Sequence, residues 1–260
     1  MVKTMSIKFN RKLRLTIILV SLLIGVFAVL DSCSDSDDET PVLDDDINGI
    51  WLDANHGIGI ISNYGWDVNV VKLVNDRLYG DTQLRGRILS RSGEVYDSFL
   101  SLFRDNGDLA YVYYMVGNGS VVPKEKISVI YENTYVGELA LDMQYDSYLT
   151  ERPASLELVG GIWSYTNDAY TISMTIDEEG NIFGSDTYGC TYSGDTSIPN
   201  PSINIYRINF IISGCLSMPA GKGQAILMDT ATQNDTLLLA VTGKIAALST
   251  KSFVKRLTRQ

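Results

Sequence analysis

Few residues in this chain are equipped to do chemistry. His56 is its only histidine, so any Ser-His-Asp or Cys-His pairing of nucleophile and base would have to use it. It stands in Asp53-Ala54-Asn55-His56-Gly57, a polar, glycine-bounded stretch that reads as an exposed loop. The three cysteines are Cys33, Cys190 and Cys215. With one histidine and no close Cys-x-x-Cys pair, a zinc site lacks ligands. Gly-x-Ser-x-Gly, P-loop and dinucleotide fingerprints are absent from the sequence. Asp44-Asp45-Asp46-Ile47-Asn48-Gly49 matches the first half of a calcium loop, with oxygens at alternate positions and a glycine for the sharp turn. Asn55 stands where the closing bidentate acid belongs, and neither flank reads as a helix. An acidic tether running into the first strand is the competing reading, and the one adopted. Paired carboxylates could cleave glycosides, but no pair stands out among the many acids. The sequence therefore assigns no catalytic residue, metal ligand or cofactor.

The chain opens with Lys3, Lys8, Arg11, Lys12 and Arg14, and no acid precedes Asp31. An apolar run follows from Leu15 to Leu30, broken only by Thr16, Ser21 and Gly25. A basic segment, an apolar segment and a small-residue exit make the layout of a secretory signal, here 1–32. The flanking bases hold that end in the cytoplasm, so the remainder is translocated. The exit, Leu30-Asp31-Ser32-Cys33, resembles the bacterial lipobox, with Asp31 where a small uncharged residue is usual. The resemblance implies cleavage before Cys33 and acylation of Cys33, which makes the lipid bilayer the first expected partner. An uncleaved anchor and ordinary cleavage elsewhere are the alternatives. Two or more acyl chains anchor a protein stably, whereas one binds marginally. Residues 33–46 carry seven acids and no base, a composition that cannot bury enough apolar surface to fold and that self-repulsion extends. They read as a lipidated tether. Ser34 after the cysteine resembles the sorting pattern for the outer membrane, facing either periplasm or cell surface.

Removing the leader deletes five bases and one acid and leaves a net charge near −14. Such a surface repels nucleic acid and anionic headgroups, so both are discounted as partners. In an exported chain, Cys190 and Cys215 form an even pair in an oxidising compartment, and a disulfide is the default. A loop of this length would contribute roughly 3–4 kcal/mol in the chain-entropy model.

These residues must be positioned by strands. Tyr170 to Ile176 alternates apolar and polar residues, and Asp177-Glu178-Glu179-Gly180-Asn181 reads as the turn that follows. Asn204 to Ile212, Thr236 to Val241 and Ser252 to Leu257 are further strands, as are Trp66 to Leu73, Leu84 to Leu89, Tyr96 to Phe103 and Leu109 to Val116. Asp105-Asn106-Gly107-Asp108 predicts a tight hairpin. No long helical stripe follows the leader. Gly49-Ile50-Trp51 returns 112 residues later as Gly161-Ile162-Trp163, which predicts tandem domains over 47–154 and 155–260. The fold expectation is all-β: two small antiparallel barrels or sandwiches built as meanders, after a helical signal segment and an acidic tether. Tyr111, Tyr113, Tyr114, Tyr131 and Tyr135 suit partner or glycan contact, and equally an ordinary β surface.

Tyr148 to Leu156 followed by Gly161-Ile162-Trp163, Gly184 to Gly194, Asn204-Ile205-Tyr206-Arg207 and Asn234-Asp235-Thr236-Leu237 resemble a group of uncharacterised proteobacterial tandem-domain lipoproteins. The likeness covers the second half well and the first loosely. It implies that the cysteines at 190 and 215 pair, and it implies no activity. A weaker similarity is to lipocalins, through Gly-x-Trp on the first strand and a basic residue, Arg256 or Arg259, that packs on the tryptophan.

The functional expectation is a non-enzymatic lipoprotein of the bacterial envelope. Its β domains would present a surface to another envelope protein or an extracellular ligand. The alternative is a lipocalin-like carrier with a small apolar molecule inside one barrel, and a third reading is a carboxylate-based envelope hydrolase. A carrier needs an unfilled apolar cavity, whereas a binding scaffold has barrels filled by its own side chains.

Overall fold

Alternation with a period of two gives a strand one face for the core and one for water, and in this chain it closes two sheets on themselves. The computed structural model describes residues 44–54, 57–74, 77–104, 113–133, 137–215, 218–246 and 249–260. Cys33, the signal segment, residues 33–43, His56, the Asp105–Asp108 hairpin, Tyr111 and Tyr135 lie outside the described residues. The first barrel runs β1 (Gly49–Asp53), β2 (Gly57–Ser62), β3 (Asp67–Val74), β4 (Arg77–Arg91), β5 (Glu94–Arg104), β6 (Tyr113–Val122), β7 (Lys126–Asn133) and β8 (Gly137–Tyr145). Two single-turn helices follow, α1 (Ser147–Thr150) and α2 (Leu156–Val159). The second barrel runs β9 (Gly161–Thr166), β10 (Thr171–Ile176), β11 (Asn181–Asp186), β12 (Thr191–Ser197), β13 (Tyr206–Ser213), β14 (Met218–Met228), β15 (Thr236–Ala246) and β16 (Ser249–Arg259). Every strand pairs antiparallel with its neighbour in sequence, and β1–β8 and β9–β16 close the two eight-stranded barrels. The expected all-β tandem meander is the architecture observed.

The repeated Gly-x-Trp plugs the start of each barrel in the same way. Trp51 and Trp163 are fully buried. Each indole N–H donates to the carbonyl four residues earlier, Trp51 to Ile47 at 3.0 Å and Trp163 to Val159 at 2.9 Å. A buried indole with its one donor satisfied costs nothing in unpaired polarity. The glycine two residues ahead is required at φ +150° for Gly49 and +125° for Gly161. At Gly49 a Cβ would also stand 2.6 Å from the Tyr145 ring. The residues paired with the two tryptophans differ. In the second barrel it is Arg259, whose guanidinium lies 4.3 Å from the Trp163 ring centroid. In the first it is Tyr145, edge-on to Trp51 at 5.2 Å. Arg259, of the two arginines expected near the tryptophan, makes the contact.

Among the described residues each barrel has its own packed apolar core. Trp51, Ile61, Leu84, Ile88, Leu100, Tyr131 and Met143 belong to the first core; Trp163, Ile172, Tyr206, Phe210, Leu227, Leu239 and Leu257 belong to the second. The packing leaves no space for a methyl group at Gly117, where a Cβ would meet the Tyr131 ring at 2.5 Å, or at Gly221, where it would meet Met218 and Val241 at 2.8 Å. Tyr131 thus belongs to the core rather than to a tyrosine-rich face. Its hydroxyl lies 2.5 Å from Ser98 Oγ, and burial pushes its pKa up.

Cys190, just before β12, and Cys215, shortly after β13, lie at disulfide distance with sulfurs 2.04 Å apart. At the opposite end of the second barrel, Asp235 organises the β14–β15 turn. Its carboxylate accepts from the backbone amides of Thr230, Ala231 and Thr232 and from the Thr230 hydroxyl. These amides, Thr232 foremost, hold its pKa far below the usual carboxylate range. A depressed carboxyl contributes stability that is present above the unfolded pKa of about 3.9 and is lost as pH falls toward the folded value. Asp235→Asn is therefore expected to lower the melting temperature at pH 7 and to flatten its decline between pH 4 and 2.5. Thermal scans across that range check this; a parallel decline in both proteins would contradict it.

Candidate functional site

The outward faces of the strands should be polar, yet on one side of each barrel they are not. Ile50 of β1, Ile58 and Ile60 of β2 and Val71 of β3 point away from the first core. They pack with Ile226 of β14, Leu238 and Ala240 of β15 and Val254 of β16, which point away from the second. The two barrels share an apolar wall, and each strand in it is buried on both sides. The link between them is tied to both. The Asp146 amide donates to Ile50 O at 2.9 Å, and Thr150 Oγ1 accepts from the Ile50 amide at 2.8 Å. Asn204 donates to Leu149 O and Leu227 O and accepts from the Leu227 amide. Arg152 pairs with Asp229 at 3.0 Å.

Along one margin of this wall the apolar contacts give way to a strip of amides. Asn69 of β3, Gln83 of β4 and Gln224 of β14 are 1%, 0% and 3% exposed. Asn69 Nδ2 donates to Gln224 Oε1 at 2.6 Å, Gln83 Nε2 donates to Asn69 Oδ1 at 2.8 Å, and Gln224 Nε2 donates to Ser62 Oγ at 2.7 Å. Ser252 Oγ of β16 donates to Gln83 Oε1. Asn69 and Gln83 are each bonded to both barrels, and Gln224 of the second barrel is bonded through its carboxamide to the first, so the strip fixes the register of one barrel against the other.

The strip floors a cleft of about 260 Å³ lined by Ser62, Asp67, Asn69, Arg85, Arg207, Asn209, Lys222, Gly223 and Gln224. Arg85 reaches across the junction to donate to Lys222 O and Thr242 Oγ1 of the second barrel. Burial pushes its pKa down, and the Asp67 carboxylate opposes that shift. Arg207 and Lys222 are exposed, and among the described residues neither is in an ion pair. A second trough of about 490 Å³, lined by Asn48, Ser62, Asn63, Pro199, Asn200, Pro201, Ile203 and Arg207, shares Ser62 and Arg207 with the first. Together they form a groove where the two barrels meet, neutral to basic in a chain of formal charge −10. The pattern of strands predicts neither the shared wall nor the groove.

The residues singled out for metal chemistry are used elsewhere. Asp44 accepts from Tyr96 Oη at 2.9 Å and pairs with Arg91; Asp45 accepts from the Gly93 amide at 3.0 Å; Asp46 accepts from Asn48. The three carboxylates thus diverge onto separate partners, two of them tying this segment to the β4–β5 hairpin. Asn55 lies outside the described residues. Among the described residues no group of three His, Cys, Asp or Glu side chains converges as a metal site would.

Toward the disulfide end of the second barrel, Lys255 projects into the barrel from β16, with its ammonium 5.3 to 5.7 Å from the ring centres of Tyr165, Tyr170 and Phe253. Phe253 packs at 5.2 Å on Phe210 and at 5.7 Å on Tyr192. These rings occupy that part of the interior. No protein-family model, curated protein or solved structure matches the chain.

Gln224→Leu keeps the side chain's approximate size but removes the partners of Asn69 and Ser62. Buried polar groups left unpaired cost about 1–3 kcal/mol each, so a loss of about 2–4 kcal/mol is expected in urea unfolding. A loss below about 1 kcal/mol would mean that the strip does not hold the barrels together.

Proposed function

We propose that the protein is a non-enzymatic lipoprotein of the bacterial envelope, held to the outer membrane through acylated Cys33 on the acidic segment 33–46. Its fused barrels form a rigid binding module, and the groove at their junction contacts the ligand. The observation that carries this reading is that the groove exists only because the barrels are fixed to each other. Its floor comes from β3, β4 and β14, and its cations come from both barrels, Arg85 from one and Arg207 and Lys222 from the other. A site built across two rigid bodies is pre-organised, which reduces the entropic cost of binding. The carrier alternative has less support, because the packed positions around Gly117 and Gly221 and the rings around Lys255 are occupied by the protein itself.

Photo-crosslinking in intact envelopes tests the reading. A crosslinkable residue is placed singly at Asn63 or Asn200 in the groove, or at exposed Glu132 on β7 as a control, with membrane association tracked in parallel in a Cys33→Ala variant. Adducts from the two groove positions alone, together with release of the Cys33→Ala protein into the soluble fraction, are expected. Adducts from Glu132 alone would overturn the groove assignment, and a Cys33→Ala protein that stays on the membrane would overturn the anchor.

A further inference from the structure

The charge of the groove runs against that of the chain. After the leader the protein carries about 14 more acids than bases, and cations on such a surface have carboxylates within easy reach. The ion pairs seen among the described residues follow that expectation: Arg87 with Asp97, Arg91 with Asp44, Lys124 with Glu151, Lys126 with Asp142 and Arg152 with Asp229. Arg85, Arg207 and Lys222, like Lys255 and Arg259 elsewhere in the second barrel, are in none of these pairs. Arg85, Arg207 and Lys222 line the 260 Å³ cleft around one lining carboxylate, Asp67. Asp195 is near, on β12, but its carboxylate accepts from Asn209 Nδ2 at 2.8 Å. Arg85 is held in place by its bonds to Lys222 O and Thr242 Oγ1. A guanidinium fixed and partly stripped of water, with two exposed cations beside it and Asp67 as the one lining carboxylate, is an anion receptor with positive charge left for a ligand to balance.

The remaining lining narrows the ligand. Asn69 and Gln224 are consumed by the floor. Asn63, Asn200 and Asn209 line the groove above it; Asn209 Nδ2 is given to Asp195 and Asn200 Oδ1 accepts from the Ser202 amide, so Asn209 Oδ1, Asn200 Nδ2 and the Asn63 carboxamide supply the acceptor and donor groups that hydroxyls need. Apart from Gly223, every residue lining the cleft is polar, and the apolar residues of the groove, Pro199, Pro201 and Ile203, lie in the adjoining trough, so the cleft itself has no apolar pocket to seat the anchor side chain on which protein partners depend. Both barrels are closed, so they offer no sheet edge to which a peptide strand could be added.

We propose that the junction groove binds an acidic saccharide, with the carboxylate of one sugar seated among Arg85, Arg207 and Lys222 and the adjoining units lying along the trough past Asn63 and Asn200. The assignment rests on the groove being the binding site, and it specifies what that site takes. Cleft and trough together fall within the range of about 300–1,000 Å³ usual for small-molecule sites.

Calorimetric titration of the full chain in detergent tests this with four probes: an oligogalacturonate, its methyl ester, hexaglutamate and sodium sulfate. Oligogalacturonate is expected to bind at least tenfold more tightly than the ester, and its affinity is expected to fall with added salt. Arg207→Ala and Lys222→Ala alter exposed side chains and are each expected to weaken it about tenfold, while Lys124→Ala, at an exposed residue that pairs with Glu151 and lines neither cleft nor trough, leaves it unchanged. Equal binding of acid and ester, or binding unaffected by both groove variants, would overturn the proposal. Tight binding of hexaglutamate alone would reassign the groove to an acidic protein. Sulfate binding alone would reduce it to a simple anion site. If groove crosslinks form in the envelope and the oligosaccharide does not bind, the saccharide class fails and the groove as binding site stands; absence of both removes the site itself.

Discussion

The structure depends on the burial of strands β1 to β3 and β14 to β16 on both of their faces. A barrel strand normally keeps one face in water, and here that face is given to the other barrel. Each fully buried aliphatic side chain stabilises by roughly 1.5–3 kcal/mol relative to exposure. The wall contains Ile50, Ile58, Ile60, Val71, Ile226, Leu238, Ala240 and Val254, and this burial is comparable with the net stability of about 5–15 kcal/mol typical of a whole domain. A barrel separated from its partner would expose this surface, so the two halves are one thermodynamic body although each has its own core. The same constraint explains the amide strip. An apolar wall is non-directional and tolerates sliding, whereas Asn69, Gln83 and Gln224 are satisfied in a single register. The register in turn brings Arg85 of one barrel alongside Arg207 and Lys222 of the other.

The two barrels repeat one plan with different closures. Trp51 and Trp163 share burial, the indole hydrogen bond and the preceding positive-φ glycine. Their last strands differ: Arg259 fastens the second barrel by donating to Leu158 O, Gly160 O and Asn234 O while it lies over Trp163. Tyr145 makes the equivalent ring contact in the first barrel without a charge. The second barrel also has the cysteine pair and the Asp235 turn. Its sequence is correspondingly the more legible of the two, with clean alternation in β10 and a turn at Gly180 where φ is +87°.

Much of the fold could be read from the sequence because its signals are local. Alternation marks β10 and β13, and the Gly-Ile-Trp echo marks the start of each barrel. The wall was harder to read, because strands buried on both faces do not alternate. Gly57-Ile58-Gly59-Ile60-Ile61 and Ala225-Ile226-Leu227-Met228 are continuous apolar runs, the pattern of doubly covered strands, and they were the available signal. The groove left no such trace. Its cations come from β4, β13 and β14, far apart in sequence, and each alone looks like an ordinary surface residue. The aspartate run at 44–46 carries the spacing of half a calcium loop, a reading set aside in favour of a tether, and in the structure each carboxylate has a different partner.

The central claim is that the junction makes one unit of two barrels, and unfolding tests it most directly. Each barrel buries one tryptophan, Trp51 or Trp163. Two variants, each retaining one of these as the sole tryptophan, report separately on the two halves during urea titration. Coincident transitions, with the same midpoint and slope by both reporters, are the predicted result. Two well-separated midpoints would show barrels that unfold independently, and the shared wall would then not be the constraint on which the groove depends.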